Sequence, residues 1–426
     1  MTVTAHETAQ PIAPELPAHR DPNVLRWLAA YTASMVGDSV YYIALSWAAV
    51  QAGTPSQAGL VMTASAVPRA LLMLGGGVIA DRLGPRRVVI GSDAVRCAAV
   101  LAVAALLYAT APGLWALALL ALVFGAVDAV FVPAVGALPA RVTRRDQLAR
   151  VQGMRGLAIR FASVVGAPLG GLGVAAGGAA AAFGLAGLLI AVSVPLLLCV
   201  RIRDLPPDDA DDADDADGTG ARNATAWADL VAGLGYIRRH RVLAPLMAAI
   251  ALGDLGFVGP LNVGLTLLAD ERGWGASGMG WVLCGFGVGA GAASLLLTLR
   301  GRLPRAGQVA GWSILAGSLA IGALAYAPTV AAAVGTALLI GLLAGLSGAL
   351  CGALLQTQAD PAYLGRVTAV SSLVSLGLTP LSMPLSAAAI GAWGTGPVFV
   401  VSAAVCGLGG IVALCVPGLR RAELPR

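Results

Sequence analysis

The sequence has 426 residues, of which 58% are hydrophobic and only 12% are charged, and its formal net charge is +5. About a quarter of the residues are charged in a typical soluble domain, so this composition excludes a soluble protein and predicts an all-α membrane protein. The chain contains no lysine, which excludes a G-x-x-x-x-G-K-[ST] nucleotide-binding loop and a lysine Schiff base. The sequence contains no nucleophile–base or metal-ligand constellation, so we expect neither an enzyme nor a bound cofactor or metal.

Twelve apolar stretches recur along the chain, each long enough to cross a hydrocarbon layer of ~30 Å. They are expected at about 26–50, 57–80, 87–110, 114–139, 148–175, 178–200, 242–269, 276–299, 307–327, 329–357, 365–390 and 395–417. We therefore predict twelve transmembrane helices in two pseudo-symmetric six-helix bundles. The domains are a disordered tail at 1–23, a bundle at 24–200, a linker at 201–240, a bundle at 241–418 and a short tail at 419–426.

Arginine is concentrated in alternate loops and near the C-terminus, whereas the opposite loops contain only Arg272. Cytoplasmic loops of membrane proteins carry an excess of positive residues. Both termini are therefore predicted to be cytoplasmic, in a multi-pass protein of the cytoplasmic membrane.

The two predicted bundles repeat one another at a fixed offset of 216 positions (253 minus 37). The matching pairs are Gly37-Asp38 with Gly253-Asp254, Gly125 with Gly341, and Pro168 with Pro384. The stretch between the repeats is rich in aspartate, but Ala213 and Ala224 occupy the first and last ligand positions of a calcium-binding loop. It is therefore interpreted as a solvated, self-repelling linker.

The junction between spans two and three reads G-V-I-A-D-R-L-G-P-R-R over residues 77–87. It resembles the loop between helices two and three of the major facilitator superfamily, with Pro85 where that family usually has a basic residue. The matching residues are Gly77, Asp81, Arg82, Gly84, Arg86 and Arg87. The resemblance implies two bundles around a central cavity and a cytoplasmic gate loop, in which Asp81 caps and pairs and Gly84 permits a tight turn.

Span five contains a second motif that is similar to the antiporter signature G-P-x-x-G-G of the same family, with the proline displaced by one residue. Its residues are Gly166, Pro168, Gly170 and Gly171. Asp128 in span four and the pattern Asp93-x-x-Arg96, together with Gly37-Asp38 and Arg69, most resemble the macrolide-efflux and enterobactin-exporter branch. The resemblance covers about residues 24–417.

Five charged residues are predicted near the middle of spans one, two, four, five and seven: Asp38, Arg69, Asp128, Arg160 and Asp254. Each charge costs about 2.5–3.5 kcal/mol to place there, so these residues are expected to face a cavity or one another. Three carboxylates and two guanidinium groups leave at least one carboxylate without a partner, and burial disfavours its charged form. Such a group can carry a proton across the membrane; the alternative is that ion pairs only fix helix packing.

Asp38 is the first candidate for proton coupling, because Tyr41 and Tyr42 follow it on the same helical face and are expected to line a substrate cavity. Asp128 is the second candidate. Its predicted charge partners are Arg69 and Arg160.

Asp254 is the third candidate, in the segment 253–260, whose glycines and Pro260 are expected to weaken span seven and allow a gate. Asn262 is a predicted polar contact in the cavity.

These features together predict a proton-driven exporter of small amphipathic or hydrophobic compounds, such as drugs or natural products, that works by alternating access. The alternatives are a siderophore or metabolite exporter, a lysolipid flippase, and a non-transporting membrane receptor of the same fold. The expected partners are a small-molecule substrate, protons and the lipid bilayer, without nucleic acid, and the protein is expected to be a monomer.

Overall fold

The computed structural model describes residues 19–110, 113–143, 147–202, 231–300, 305–360 and 363–423, and all regular structure in these ranges is helical. The helices are α1 (Pro22–Ala52), α2 (Pro55–Leu83), α3 (Pro85–Ala109), α4 (Leu114–Val142), α5 (Leu148–Leu198), α6 (Leu243–Gly259), α7 (Leu265–Glu271), α8 (Gly275–Arg300), α9 (Ala306–Leu324), α10 (Val330–Gln358), α11 (Leu364–Trp393), α12 (Thr395–Cys415) and α13 (Pro417–Arg420). A π-helical turn, Pro260–Gly264, joins α6 to α7.

Local sequence signals fix where the first helices begin. Proline occupies the first turn of α1, α2 and α3, where its missing N–H leaves no hydrogen bond unmade. Thr54 and Gln57 form a reciprocal capping box at the start of α2, which satisfies two backbone donors. Gly84 separates α2 from α3 at φ 83°, a conformation that L side chains adopt only under strain.

Helix α5 consists of two antiparallel limbs. Its backbone leaves helical geometry at Gly177 and Gly178, where Gly178 has φ 71°. The chain reverses there, so that a Cβ atom placed on Gly173 would lie 3.2 Å from the Cα atom of Ala182. The limbs correspond to the two spans predicted at 148–175 and 178–200.

Nine helices in the described ranges are long and apolar enough to cross a membrane, with α5 counted once. This establishes a multi-pass all-α membrane protein. The number of twelve spans stays a prediction.

The helices before residue 200 pack mainly on one another, as do those after 240, and the two groups meet along α5 with α8 and α2 with α11. The internal repeat has a structural counterpart. Gly125 on α4 lies against the backbone carbonyl of Ser65 on α2, and Gly341 on α10 lies in the same way against that of Phe286 on α8. In both halves the absent side chain lets two helices approach closely.

The segment predicted to weaken span seven is irregular, because α6 gives way to the π-helical turn at Pro260. Proline cannot donate the hydrogen bond that would continue the α-helix. Gly256 and Gly259, however, are tightly packed: a Cβ atom on Gly256 would lie 2.7 Å from Cys406 N, and one on Gly259 would lie 2.7 Å from Ser382 O. These two glycines therefore serve close packing against α12 and α11.

The predicted tail at 1–23 and linker at 201–240 lie largely outside the described residues, including all the linker aspartates. Residues 231–239 are helical. The ring of Tyr236 stacks on that of Tyr363, with centroids 4.5 Å apart. This end of the predicted linker is therefore a helix packed near the start of α11, and the interpretation of the aspartate-rich part as a solvated linker stays a prediction.

Candidate functional site

A buried ion cluster joins α1, α3 and α4. The side chain of Arg96 is completely buried, and its Nη1 atom donates to Asp38 Oδ2 at 2.7 Å and to Asp128 Oδ1 at 3.4 Å. Its Nη2 atom donates to Asp93 Oδ1. The guanidinium carbon also lies 3.8 Å from the ring centroid of Phe131. We call Asp38, Asp93, Arg96 and Asp128 the Arg96 cluster.

Serine hydroxyls and a second arginine surround the cluster. Asp93 accepts hydrogen bonds from Ser34 Oγ, at 3.0 Å, and from Ser193 Oγ on the second limb of α5. Arg69 Nη1 on α2 lies 4.0 Å from Asp128 Oδ2, at the partly exposed rim. The cluster and these neighbours together draw on all five helices of the first half.

The Arg96 cluster together with Arg69 contains three carboxylates and two guanidinium groups, the same numbers as the predicted set of charged residues, but two of the residues are different. Arg160 is exposed and forms no ion pair with the described residues, so its predicted pairing with Asp128 is wrong. Arg96 occupies that role, whereas Asp93 takes the place of Asp254. The position of Arg160 along span five does not determine which way its side chain points around the helix.

Asp93 and Arg96 are the two members of the Arg96 cluster that were not among the predicted site residues, and the sequence pattern Asp93-x-x-Arg96 was the signal that could have identified them. Two residues three positions apart share a helical face, and an Asp–Arg pair on one face in the middle of an apolar span indicates a buried ion pair. The structure shows this pair in contact.

Of the two tyrosines after Asp38, Tyr41 lies in the packed core and Tyr42 packs against its edge. Tyr41 is 0% exposed, and its ring stacks on Phe124 with centroids 3.7 Å apart. Tyr42 is half-buried and meets Tyr41 edge-on at 5.2 Å. The structure thus differs from the predicted cavity wall at Tyr41, because the face that it shares with Asp38 points into the bundle.

A cavity of about 430 Å³ lies inside the second half, between α6, α9, α10, α11 and α12. Asp254 is the one charged residue among the described residues that line it. Ser375 Oγ donates a 2.6 Å hydrogen bond to Asp254 Oδ2, and no described arginine forms an ion pair with this carboxylate. We call this space the Asp254 cavity. Asn262 lies outside its lining; it is exposed and donates to Val258 O at 2.8 Å.

The predicted gate loop is described in part. Gly77 and Asp81 belong to α2, but the surroundings of Gly77 and of the Asp81 side chain lie outside what the structure describes, and Arg82 and Arg87 are exposed. Arg86 Nη2 donates to Leu198 O at 2.6 Å, and its Nε atom donates to Leu197 O at 3.3 Å. Arg86 therefore caps the last carbonyls of α5, where a positive charge is also favourable in the field of the helix dipole.

The antiporter-like motif is a packing surface. A Cβ atom on Gly166 would lie 3.2 Å from Val36 O, and one on Gly170 would lie 2.8 Å from Ile43 Cβ, both on α1. One on Gly171 would lie 2.9 Å from Ser277 Cα on α8. Pro168 also faces α8, since its Cα would lie 3.3 Å from a Cβ placed on Gly280. The motif thus brings α5 close to both neighbours, one of them in the other half.

The described residues join the two halves closely at the end opposite the gate loop. Gln51 Nε2 donates to Asp270 Oδ1 across the halves at 2.7 Å, and Gly59 on α2 packs against Ala387 on α11 near the same end. Toward the other end, Cβ atoms placed on Gly156 of α5 and Gly291 of α8 would have no described atom of another element within 4 Å. Open space therefore lies beside these two glycines, in the part of α5 and α8 nearer the end that carries the gate loop.

A multi-pass helical membrane protein with two repeated halves, a buried ion cluster and an internal cavity has the architecture of a membrane transporter. The model of the Major Facilitator Superfamily matches residues 27–379. The chain belongs to the Major Facilitator Superfamily, a family of transporters.

Relatives and solved structures agree with this assignment. The enterobactin exporter EntS of Shigella boydii serotype 18 is 25% identical over 355 residues, which are 83% of this chain and 80% of that protein. EntS of Escherichia coli O139:H28 matches to the same extent. The crystal structure of the nucleoside transporter NupG has a TM-score of 0.68 at 13% identity, covering 92% of this chain and 98% of that one. That of a D-xylose-proton symporter has a TM-score of 0.67 at 13% identity, covering 93% and 96%. These structures are similar in fold.

Proposed function

We propose that this protein is a proton-driven secondary exporter of small amphipathic compounds that works by alternating access. The observation that carries the proposal is the Arg96 cluster, in which three buried carboxylates face one fully buried guanidinium group. Even with Arg69 included, the described charges sum to three negative and two positive. A net buried charge of this kind is costly, and binding one proton removes it.

Asp38 and Asp128 are the groups of the cluster best placed to exchange that proton. Their side chains are 15% and 12% exposed, whereas that of Asp93 is 1% exposed and is held by Arg96 and two serines. The Oδ1 atom of Asp38 is buried and has no hydrogen-bond partner among the described residues. A proton on Asp38 therefore displaces no existing hydrogen bond at that oxygen.

The described conformation fits the cargo-loading step of an exporter. The arginine distribution predicts that the gate-loop end faces the cytoplasm, and toward this end open space lies beside Gly156 of α5 and Gly291 of α8. The joined end, with Gln51 and Asp270, then faces outward. We propose the cytoplasmic membrane as the location and both termini as cytoplasmic, with the monomer as the working unit.

The energy available from one proton is sufficient for accumulation against a gradient. For an uncharged cargo exchanged for one proton, a membrane potential of 100 mV contributes about 2.3 kcal/mol per elementary charge, which corresponds to roughly fiftyfold accumulation. A monocation exchanged for one proton moves no net charge, so the pH gradient alone drives its export.

The relatives favour a second candidate within the same mechanism, the export of a siderophore or a related natural product. Both named relatives are described as enterobactin exporters, and each match spans most of both chains. A lysolipid flippase and a non-transporting receptor are the remaining alternatives.

Reconstitution into liposomes with an imposed pH gradient tests the proposal. Uptake of labelled tetraphenylphosphonium, erythromycin, a catecholate siderophore and a lysolipid is compared with and without the gradient and in protein-free vesicles. An exporter moves at least one soluble probe, and dissipating the gradient stops it. Binding without movement of any probe would indicate a receptor, and movement of the lysolipid alone would indicate a flippase.

A further inference from the structure

The geometry points to the Asp254 cavity as a binding site for the cationic head of an amphipathic cargo, with Asp254 as its counter-ion. The inference deepens the proposed function, because it names a substrate class and assigns the cargo and the proton to different halves. Asp254, a predicted proton-coupling residue, becomes a substrate-binding residue.

The internal repeat relates this cavity to the Arg96 cluster. Adding the offset of 216 to Asp38 gives Asp254, so the carboxylate is present in both halves. Adding it to Asp128 gives Ala344, which lines the cavity. The second half therefore keeps one carboxylate of the cluster and replaces another with a methyl group.

The space that aromatic and charged side chains fill in the first half is left open in the second. Phe124, which packs on Tyr41 in the first half, corresponds to Ile340, and Ile340 lines the cavity. Arg96 corresponds to Trp312, whose side chain is 56% exposed and is not among the lining residues. The next residue, Ser313, faces the cavity instead. Whatever the register of α3 on α9, α9 contains no arginine, so among the described residues the guanidinium group that neutralises Asp38 has no counterpart beside Asp254.

A cation that enters the cavity can take the place of that missing group. No arginine or histidine is among the described residues that line the cavity, and an unpaired carboxylate in an apolar site is costly. A bound organic cation supplies the opposite charge, and Ser375 already orients one carboxylate oxygen at 2.6 Å.

The rest of the lining suits an apolar body with few polar groups. Ile250, Phe257, Ile314 and Leu355 provide apolar surface, and Gln356 supplies an amide. The volume of about 430 Å³ lies within the range of roughly 300–1,000 Å³ that is usual for small-molecule sites. Hydroxyl groups also line the cavity, from Ser313, Ser347, Thr368, Ser371, Ser372 and Ser375. Because the carboxylate is the one charged group among the described lining residues, the site selects amphipathic monocations over anions of equal size.

Equilibrium binding to the purified full-length chain in detergent tests this assignment. The probes are labelled tetraphenylphosphonium and tetraphenylborate, which have almost the same size and opposite charge. We expect the unaltered protein to bind the cation in preference to the anion. Asp254→Asn should weaken cation binding on the order of tenfold to hundredfold, as expected when one partner of a desolvated charge pair is removed, and Asp254→Glu should retain binding.

The repeat supplies a matched control, Asp38→Asn, which makes the same chemical change at the equivalent position. It should bind tetraphenylphosphonium normally while losing transport driven by a pH gradient. Equilibrium binding needs no gradient, so the two proposals can fail separately. If neither the unaltered protein nor any variant shows proton-driven transport, that result counts against the proposed function but does not contradict the binding site.

The rate of alkylation of Cys351, which lines the cavity, is a second measure of cation binding. Peptide mass spectrometry distinguishes the labelling of Cys351 from that of the other cysteines. Tetraphenylphosphonium should slow labelling of Cys351 by N-ethylmaleimide, but not labelling of the exposed Cys199 and Cys415. A folded Asp254→Asn protein that binds the cation with unchanged affinity, or equal binding of tetraphenylborate at this site, would overturn the inference. Loss of proton-driven transport alone in Asp254→Asn would likewise assign Asp254 to the proton.

Discussion

Replacing Arg96 with glutamine removes the guanidinium group that contacts all three aspartates of the Arg96 cluster. At the 2.7 Å between Arg96 Nη1 and Asp38 Oδ2, the Coulomb energy is about 6 kcal/mol at an effective dielectric constant of 20, before desolvation. Measured losses on breaking a buried ion pair are about 3–5 kcal/mol. We expect the free energy of unfolding to fall by an amount in that range, measured by tryptophan fluorescence during unfolding in mixed detergent–SDS micelles.

The same assay contains its own controls. Arg160→Gln removes the same charge from an exposed side chain without an ion pair to the described residues, and should change stability by less than about 0.5 kcal/mol. Adding Asp93→Asn to Arg96→Gln should recover part of the loss, because Asp93 is the most buried carboxylate of the cluster. If Arg96→Gln and Arg160→Gln prove equally stable, the cluster does not hold the first half together as described.

Three further predictions concern coupling, the gate-loop turn and the cavity. Asp38→Asn should abolish pH-driven export in liposomes while expression stays normal, and normal export in this variant would remove Asp38 from the mechanism. Gly84→Ala should lower the free energy of unfolding by about 1–3 kcal/mol, because φ is 83° at this position. Its control is Gly91→Ala, in open helical surroundings, which should be neutral or slightly stabilising. Equal effects of the two substitutions would argue against strain at Gly84. Ala344→Leu should fill part of the Asp254 cavity and weaken tetraphenylphosphonium binding at least about tenfold with the carboxylate intact, and unchanged affinity would place the cation elsewhere.

The sequence contained enough to predict the membrane class, the repeat and the positions of the charged residues along the spans. Each of these depends on distance along the chain. A span of about 20 apolar residues matches the hydrocarbon thickness, and the constant rise of 1.5 Å per residue places Asp38 at mid-depth before any contact is known. The offset that relates Asp38 to Asp254 is likewise a property of the chain alone.

The tertiary structure decided which of these residues meet. Depth along a helix leaves its rotation free, so the sequence pairs Arg160 with Asp128, whereas α5 directs that exposed side chain away from the Arg96 cluster and Arg96 occupies the site. The rotation of α1 about its own axis is likewise not fixed by the sequence, and in the structure it directs Tyr41 into the core rather than toward a cavity. The Asp254 cavity depends on five helices at once, because the loss of side-chain volume at Ile340 and Ala344 opens a space only where neighbouring helices leave it unfilled. One-dimensional spacing thus determined the height of each charge, and the packing of helices determined its partner.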